Sequence, residues 1–292
     1  MQAGFIGLGA LGTIMVNNLI EKGHRIHIYN RTQEKMEPFR GYTELHTSLS
    51  SIAETCDIIL SIVSDDKALQ AITLGKDGLT EHMKPGAVHV CLSTIAASTS
   101  SIMHEAHKQK QIDYVTATVI GRPEAARNRN MVICYSGATE KKEVVFTLLK
   151  DLGGAKIFEF GDDPKKAAVV KLCNNFIIAA AIEAIGEGFN LVEKAGVDQK
   201  AFYEMITDFL FNCPIYKNYG KIIMEESYKE PGFSSQLGLK DTKLVLDLAN
   251  EVSAPVPIAD IVRNRLLINH NRGRKDWDWT SFVAVIKEEN KN

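Results

Sequence analysis

The sequence predicts an α/β chain in two parts: a doubly wound α/β domain over residues 1–163, then an all-helical domain over residues 164–292 with a long central helix. Three observations carry this reading. A glycine-punctured apolar run opens the chain, strands alternate with helices up to about residue 163, and from Pro164 a run of roughly thirty helix-compatible residues continues to Gly196.

The first strand, turn and helix lie in "GFIGLGALGTIM", which begins at Gly4. Ile14, Met15, Leu19 and Ile20 recur at helical spacing, and Gly23 marks the helix stop. "RIHIYN" follows as a second strand ending in Asn30-Arg31-Thr32. Strand, glycine turn, helix and strand within about 30 residues are one βαβ unit. "DIILSIV" is a nearly continuous apolar run, as befits a parallel strand covered on both faces. "AVHVCLS", "YVTATVIG", "MVICYSG" and "AKIFEFG" continue the series. Beyond Pro164, "KKAAVVKLCNNFIIAAAIEAIGEGFNLVEKAGV" is apolar around most of its circumference, which predicts a helix buried on nearly all sides. Further helices are expected around Ala201–Leu210, Lys240–Val252 and Ile258–Ile268.

Composition narrows the function classes. The chain has 292 residues, 45% hydrophobic and 24% charged, in the range of globular proteins. A net charge of -2 offers no general attraction to nucleic acid or an anionic membrane. No run reaches the roughly twenty consecutive apolar residues that span a bilayer. Met1-Gln2-Ala3 carries no side-chain positive charge and no small-residue cleavage site precedes Glu21, so the apolar N-terminus is not read as an export signal. The five cysteines are scattered, odd in number and without a C-x-x-C pair. They read as mostly buried thiols, and the protein as cytoplasmic.

Within the first turn, Gly7 permits the sharp bend, Gly9 lets backbone N–H groups approach a pyrophosphate, and Gly12 allows close packing of helix on strand. Leu8, Ala10 and Leu11 share that turn, and the helix N-terminus adds partial positive charge. This is the dinucleotide-binding pattern of a Rossmann domain. The second strand ends without the carboxylate that would bind both ribose hydroxyls and select NAD. Asn30 can still bond the ribose, and Arg31, followed by Thr32, can pair with a 2′-phosphate or stand as a solvated loop charge. NADP is favoured, with NAD possible.

In "VVKLCNNF", Lys171 sits among Val169, Val170, Leu172 and Phe176, with Asn174 and Asn175 beside it. Lys171 and Asn175 are four residues apart and project from one helix face. Burial disfavours a charged ammonium, so such a lysine is suited to giving and taking a proton while the amide holds a substrate oxygen.

The glycine run, "NRT", "LST" at Ser93-Thr94, "KLCNN" and "LKD" at Lys240-Asp241, in this order and over essentially the whole chain, resemble the β-hydroxyacid dehydrogenase family. That family includes 3-hydroxyisobutyrate dehydrogenase, glyoxylate/succinic semialdehyde reductase and, more distantly, 6-phosphogluconate dehydrogenase. The resemblance implies hydride transfer between NADP(H) and a small hydroxy acid, semialdehyde or oxo acid, a reaction on CH–OH groups. It further implies Lys171 as general acid/base, Asn175 as a substrate ligand, and Thr94 and Lys240 as cofactor contacts. Val63 and Ser64 are expected to line the same crevice, between the two domains. By the same resemblance the partners are a small-molecule substrate and further copies of the chain, as a homodimer or homotetramer.

The chain departs from the family where the substrate carboxylate is usually gripped. In place of D-x-P-V-S-G-G it has "TATVIGR", with Thr116, Thr118, Ile120 and Arg122 for Asp, Pro, Ser and the last Gly. Gly121 keeps the backbone donor, while Arg122 either grips a carboxylate or phosphate or points to solvent. Thr94, Gly121, Arg122 and Asn174 are the expected substrate contacts. Tyr216, Tyr219 and Phe233, between the later helices, are pocket or core aromatics. The eight histidines show no H-x-x-x-H spacing and no carboxylate-rich loop appears, so no metal is predicted. Two other readings, reduction of C=N bonds in the manner of imine reductases and a nucleotide-binding scaffold without turnover, are both disfavoured by Lys171.

Overall fold

Eight strands form one sheet in the order β3-β2-β1-β4-β5-β6-β7-β8. They are β1 (Ala3–Ile6), β2 (Ile26–Tyr29), β3 (Glu44–Leu45), β4 (Ile58–Ser61), β5 (Val88–Cys91), β6 (Asp113–Ile120), β7 (Met131–Ser136) and β8 (Gly154–Glu159). The computed structural model describes residues 2–289. It divides into two compact units, Met1–Lys171 and Leu172–Asn292.

The first six strands run parallel, as their near-continuous Ile, Val and Leu content requires of strands covered on both faces. Between them come α1 (Ala10–Glu21), α2 (Leu49–Thr55), α3 (Asp66–Leu74), α4 (Leu79–His82) and α5 (Ala97–Lys108). The chain winds outward from β1 to β3 and then crosses back to β4 on the other side of β1. The strand order therefore reverses between β1 and β4, which opens a crevice at their carboxyl ends. After α6 (Pro123–Arg127), β7 pairs antiparallel with β6, and β8, reached through α7 (Lys142–Asp151), runs parallel to β7. Phe5, Leu19, Ile28, Leu60, Val90 and Ile133, none more than 1% exposed, are part of the core of this unit.

The long helix is α8 (Lys165–Lys194), and it carries the chain from one unit into the other. It is followed by α9 (Gln199–Asp208), α10 (Pro214–Met224), α11 (Ser235–Glu251), α12 (Pro257–Asn271) and α13 (Ala284–Glu289). Ile182, Ile185 and Phe189 of α8 pack with Leu266, Trp279 and Phe282 as the core of the second unit. By length and composition α8 is apolar enough to cross a membrane, with a mean hydropathy of 1.7 over its most apolar window.

Two expectations need correction. The α8 helix is not buried on nearly all sides: Cys173, Ile177, Ala184 and Leu191 are exposed, because the second unit covers one flank only. Tyr216 and Tyr219 do not lie between helices but on α10, where Pro214 occupies the first turn that proline suits. Tyr219 and Phe233 meet the buried Trp279 edge-on at 5.9 and 5.0 Å, and Tyr216 stacks on Phe211 at 4.6 Å.

Candidate functional site

The glycine turn is shaped by close backbone approach. Gly7 has φ +104°, and a Cβ there would fall 2.0 Å from the carbonyl oxygen of Ile62. A Cβ on Gly12 would fall 2.0 Å from the carbonyl oxygen of Gly7, so α1 can pack on the turn only without one. At Gly9 the same test meets nothing within 4 Å. Gly9 is also the N-cap of α1, with no side-chain cap and no acidic residue in the first turn. An uncapped helix N-terminus beside open space is what a pyrophosphate needs, and the residues present therefore fit a dinucleotide.

Asn30, expected to bond the ribose, has a second task. Its Oδ1 accepts the Leu8 N–H at 2.8 Å and its Nδ2 donates to the Thr32 carbonyl at 2.8 Å. The amide thus ties the glycine turn to the loop that carries Arg31 and Thr32, both exposed.

Val63 and Ser64 follow β4 at the carboxyl edge. The Val63 N–H is held by Ser93 Oγ at 2.8 Å, and Ser64 Oγ donates to Asp65 Oδ2 at 2.9 Å. Asp65 caps α3 through the Ala68 N–H, and Asp66 Oδ1 accepts the Ala96 N–H at 2.9 Å. These bonds join the turns after β4 and β5, bringing the half-buried Thr94 to the same edge. The roles of Ser93, Asp65 and Asp66 were not foreseen from the sequence. The Asp65-Asp66 pair at a helix start was a readable capping signal.

Lys171 is 9% exposed. Burial pushes the neighbouring Cys134 thiol up, while the Lys171 charge pulls it the other way, so the ammonium lies within electrostatic reach of β7. Thr118 Oγ donates to the Ala167 carbonyl at 3.2 Å, and Ser136 Oγ accepts the Ala167 N–H at 2.8 Å. Gly121 and Arg122, both half-buried, lie between β6 and α6.

In the second unit, Asn175 (7% exposed) donates from Nδ2 to Asp241 Oδ2 at 2.6 Å. Lys240 pairs with Asp241 Oδ1 at 2.9 Å. Asn174, half-buried, donates to Asn175 Oδ1 at 3.4 Å. Asn175 and Asp241 also line a cavity of about 10 Å³ with Phe176, Thr242 and Trp279, room for about one water. Asp241 as the partner of Asn175 was not foreseen, because 66 residues separate the two. Elsewhere, ligand atoms of Asp77, Glu81 and His82 lie within 4.8 Å of one another. The two carboxylates are exposed, and His82 pairs through Nδ1 with Glu54 at 3.1 Å and through Nε2 with Asp77 at 3.9 Å.

Residues 2–161 match the family model for the NAD-binding domain of 6-phosphogluconate dehydrogenase, and residues 166–286 that for the NAD-binding domain of NADP-dependent 3-hydroxyisobutyrate dehydrogenase. The chain is 35% identical to the oxidoreductase YfjR of Bacillus subtilis over 98% of its own length and 100% of that protein. It is 26% identical to the chloroplastic glyoxylate/succinic semialdehyde reductase 2 of Arabidopsis thaliana, over 98% of this chain and 80% of the relative. In fold it is similar to the 3-hydroxyisobutyrate dehydrogenase of Mycobacterium tuberculosis, with a TM-score of 0.86 at 20% identity, covering 98% and 99% of the two chains.

Proposed function

Given that the chain belongs to the β-hydroxyacid dehydrogenase family, we propose that it is an NADP-dependent reductase of a small semialdehyde or oxo acid, working in reverse as a dehydrogenase of the matching hydroxy acid. The observation that carries this reading is a buried lysine, Lys171, one helix turn before an asparagine whose amide is held by a carboxylate.

The glycine turn, the open side of Gly9 and the N-terminus of α1 would hold the pyrophosphate. Arg31 and Thr32 would hold the 2′-phosphate, and Val63, Ser64, Thr94 and Lys240 the nicotinamide half. When bound, the reduced cofactor supplies a hydride to the substrate carbonyl carbon. Lys171 Nζ delivers a proton to the carbonyl oxygen in the reductive direction and takes it back in the oxidative one. With one Nδ2 hydrogen on Asp241, Asn175 keeps the other for the substrate oxygen, and Asp241 fixes which way the amide points. A general acid placed in this way contributes roughly 10²–10⁴-fold to rate.

The preference for NADP is supported by the absence of a carboxylate at the end of β2 and by the exposed Arg31 guanidinium. Gly121 and Arg122 would meet the substrate's acidic group, and Asn174 is a further candidate substrate contact. The exposed Ile177, Ala184 and Leu191 of α8 favour a homodimer or homotetramer over a monomer. Five unpaired cysteines suit the reducing cytoplasm.

The test is to offer the purified protein NADPH or NADH with a panel of semialdehydes, glyoxylate and cyclic imines while following absorbance of the reduced nicotinamide. Turnover of aldehydes or oxo acids with NADPH, lost in Lys171→Ala, is the expected result. Turnover of imines alone would move the reaction to C=N bonds, and equal rates for wild type and Lys171→Ala would remove the lysine's role.

A further inference from the structure

We propose that Thr118 and Ser136 are positioning residues for Lys171, anchoring the first turn of α8 to one face of the β6–β7 pair; the inference rests on the reading of Lys171 as proton donor. In the antiparallel register Thr118 lies opposite Cys134. Ser136, two residues further along β7, points to the same face. Both hydroxyl residues are fully buried.

The opening N–H groups of a helix have no partner within the helix. Here the Lys165 N–H goes to Asp163 Oδ1 at 3.1 Å, a local cap, but the Ala167 N–H goes across to Ser136 Oγ at 2.8 Å. The Ser136 hydroxyl hydrogen is itself donated to the Pro164 carbonyl at 2.8 Å. One buried hydroxyl thus accepts from the helix and donates to the residue just before it, which sets both height and rotation of the first turn. Thr118 Oγ adds a bond to the Ala167 carbonyl at 3.2 Å. In an α-helix that carbonyl is also the acceptor for the N–H four residues on, the N–H of Lys171. The face that holds these bonds includes Cys134, whose thiol feels the Lys171 charge. The strand face that anchors the turn is therefore one that lies within electrostatic reach of the Lys171 ammonium. The family carries proline where this chain has Thr118, so this second bond belongs to the stretch in which β6 departs from the family rather than to the shared pattern.

Three variants test it: Ser136→Ala, Thr118→Val and Thr118→Ser. By hydrogen exchange of the purified protein, the segment 164–172 is expected to exchange about tenfold faster in the first two, as for loss of one buried hydrogen bond, and at the wild-type rate in Thr118→Ser. With whichever substrate the wild type reduces, kcat is expected to fall about tenfold in the first two, with KM changed by less than about twofold and recovery in Thr118→Ser. Unchanged exchange overturns the anchoring. Faster exchange with unchanged kcat, or equal loss in kcat and rise in KM, overturns the link to Lys171. If Ser136→Ala does not fold, the two Thr118 variants decide. A Lys171→Ala protein as active as wild type would overturn the proton-donor reading instead, and the exchange result would stand apart from it.

Discussion

Asn175 donates its amide to the buried carboxylate of Asp241 at 2.6 Å, and Lys240 pairs with the other oxygen of the same carboxylate at 2.9 Å. One carboxylate, 2% exposed, thereby orients two side chains proposed to contact substrate and cofactor. Replacing Asp241 with Ala leaves the Asn175 amide and the Lys240 ammonium without this partner. A stability loss of about 2 kcal/mol is expected, since bonds to a charged group contribute roughly 1.5–3 kcal/mol. Urea midpoints measure it, and turnover is expected to fall at the same time.

Arg31 decides between cofactors if it meets the 2′-phosphate. Arg31→Ala is expected to weaken NADPH about tenfold to a hundredfold, the effect of one lost charge-assisted bond, and to leave NADH nearly unchanged. Titration of cofactor fluorescence with both nucleotides reads this, and equal losses would remove the phosphate argument.

The three glycines of the turn differ in what they tolerate. Gly12→Ala sets a Cβ 2.0 Å from a backbone oxygen and is expected to cost about 1–3 kcal/mol of stability through the forced shift. Gly9→Ala meets no atom within 4 Å, so the fold is expected to keep its melting temperature while NADPH binding weakens about tenfold or more. Thermal melts with and without NADPH separate the two. A Gly9→Ala protein that binds as wild type would show that no phosphate approaches there.

A chain of buried histidines makes the first unit acid-sensitive. His107 Nδ1 donates to the Met103 carbonyl at 2.6 Å, which leaves its Nε2 to accept from His89 Nδ1 at 3.0 Å. His89 Nε2 in turn accepts from Ser61 Oγ at 2.7 Å. The two bonds accepted at Nε2 require neutral rings, since a protonated ring has no lone pair left to accept. Burial holds both below the usual histidine range, His107 down to about 4. An unfolded histidine takes its proton near 6.5 and the folded His107 only near 4. Stability is therefore complete above about pH 6.5 and is lost progressively as pH falls toward 4, by about 3 kcal/mol for His107 alone. Urea midpoints at pH 7.5 and 5 are expected to differ accordingly, and His107→Gln, whose amide carries one donor group and one acceptor and does not titrate, is expected to flatten the dependence.

The exposed stripe on α8 makes a prediction about assembly. Ile177→Glu with Leu191→Glu places charge on residues that are 61% and 69% exposed, so the isolated chain is expected to fold unchanged. Light scattering is expected to show the variant as a smaller particle than wild type. Identical masses would place the subunit contact elsewhere.

Much of the fold was legible because its signals are local. Gly7, Gly9 and Gly12 stand at the spacing a strand-to-helix turn demands, and the apolar strands recur with helical segments between them. The long helix was visible as a proline-free run, but not which of its flanks would be covered, since periodicity cannot say what packs against an apolar residue. The α10 helix was missed because Pro214, which suits a first turn, also reads as a breaker.

What the sequence determined by itself was the dinucleotide turn, the lack of a carboxylate at the end of β2, and the placing of Lys171 and Asn175 one helix turn apart, because each is a matter of residue type at short spacing. What only the tertiary structure decided was which distant groups hold them: Asn30 on Leu8, Ser136 and Thr118 on Ala167, Asp241 on Asn175. A hydrogen bond between residues 22, 31, 49 or 66 positions apart has no period in the sequence. It exists only once sheet register and helix packing have brought donor and acceptor within reach.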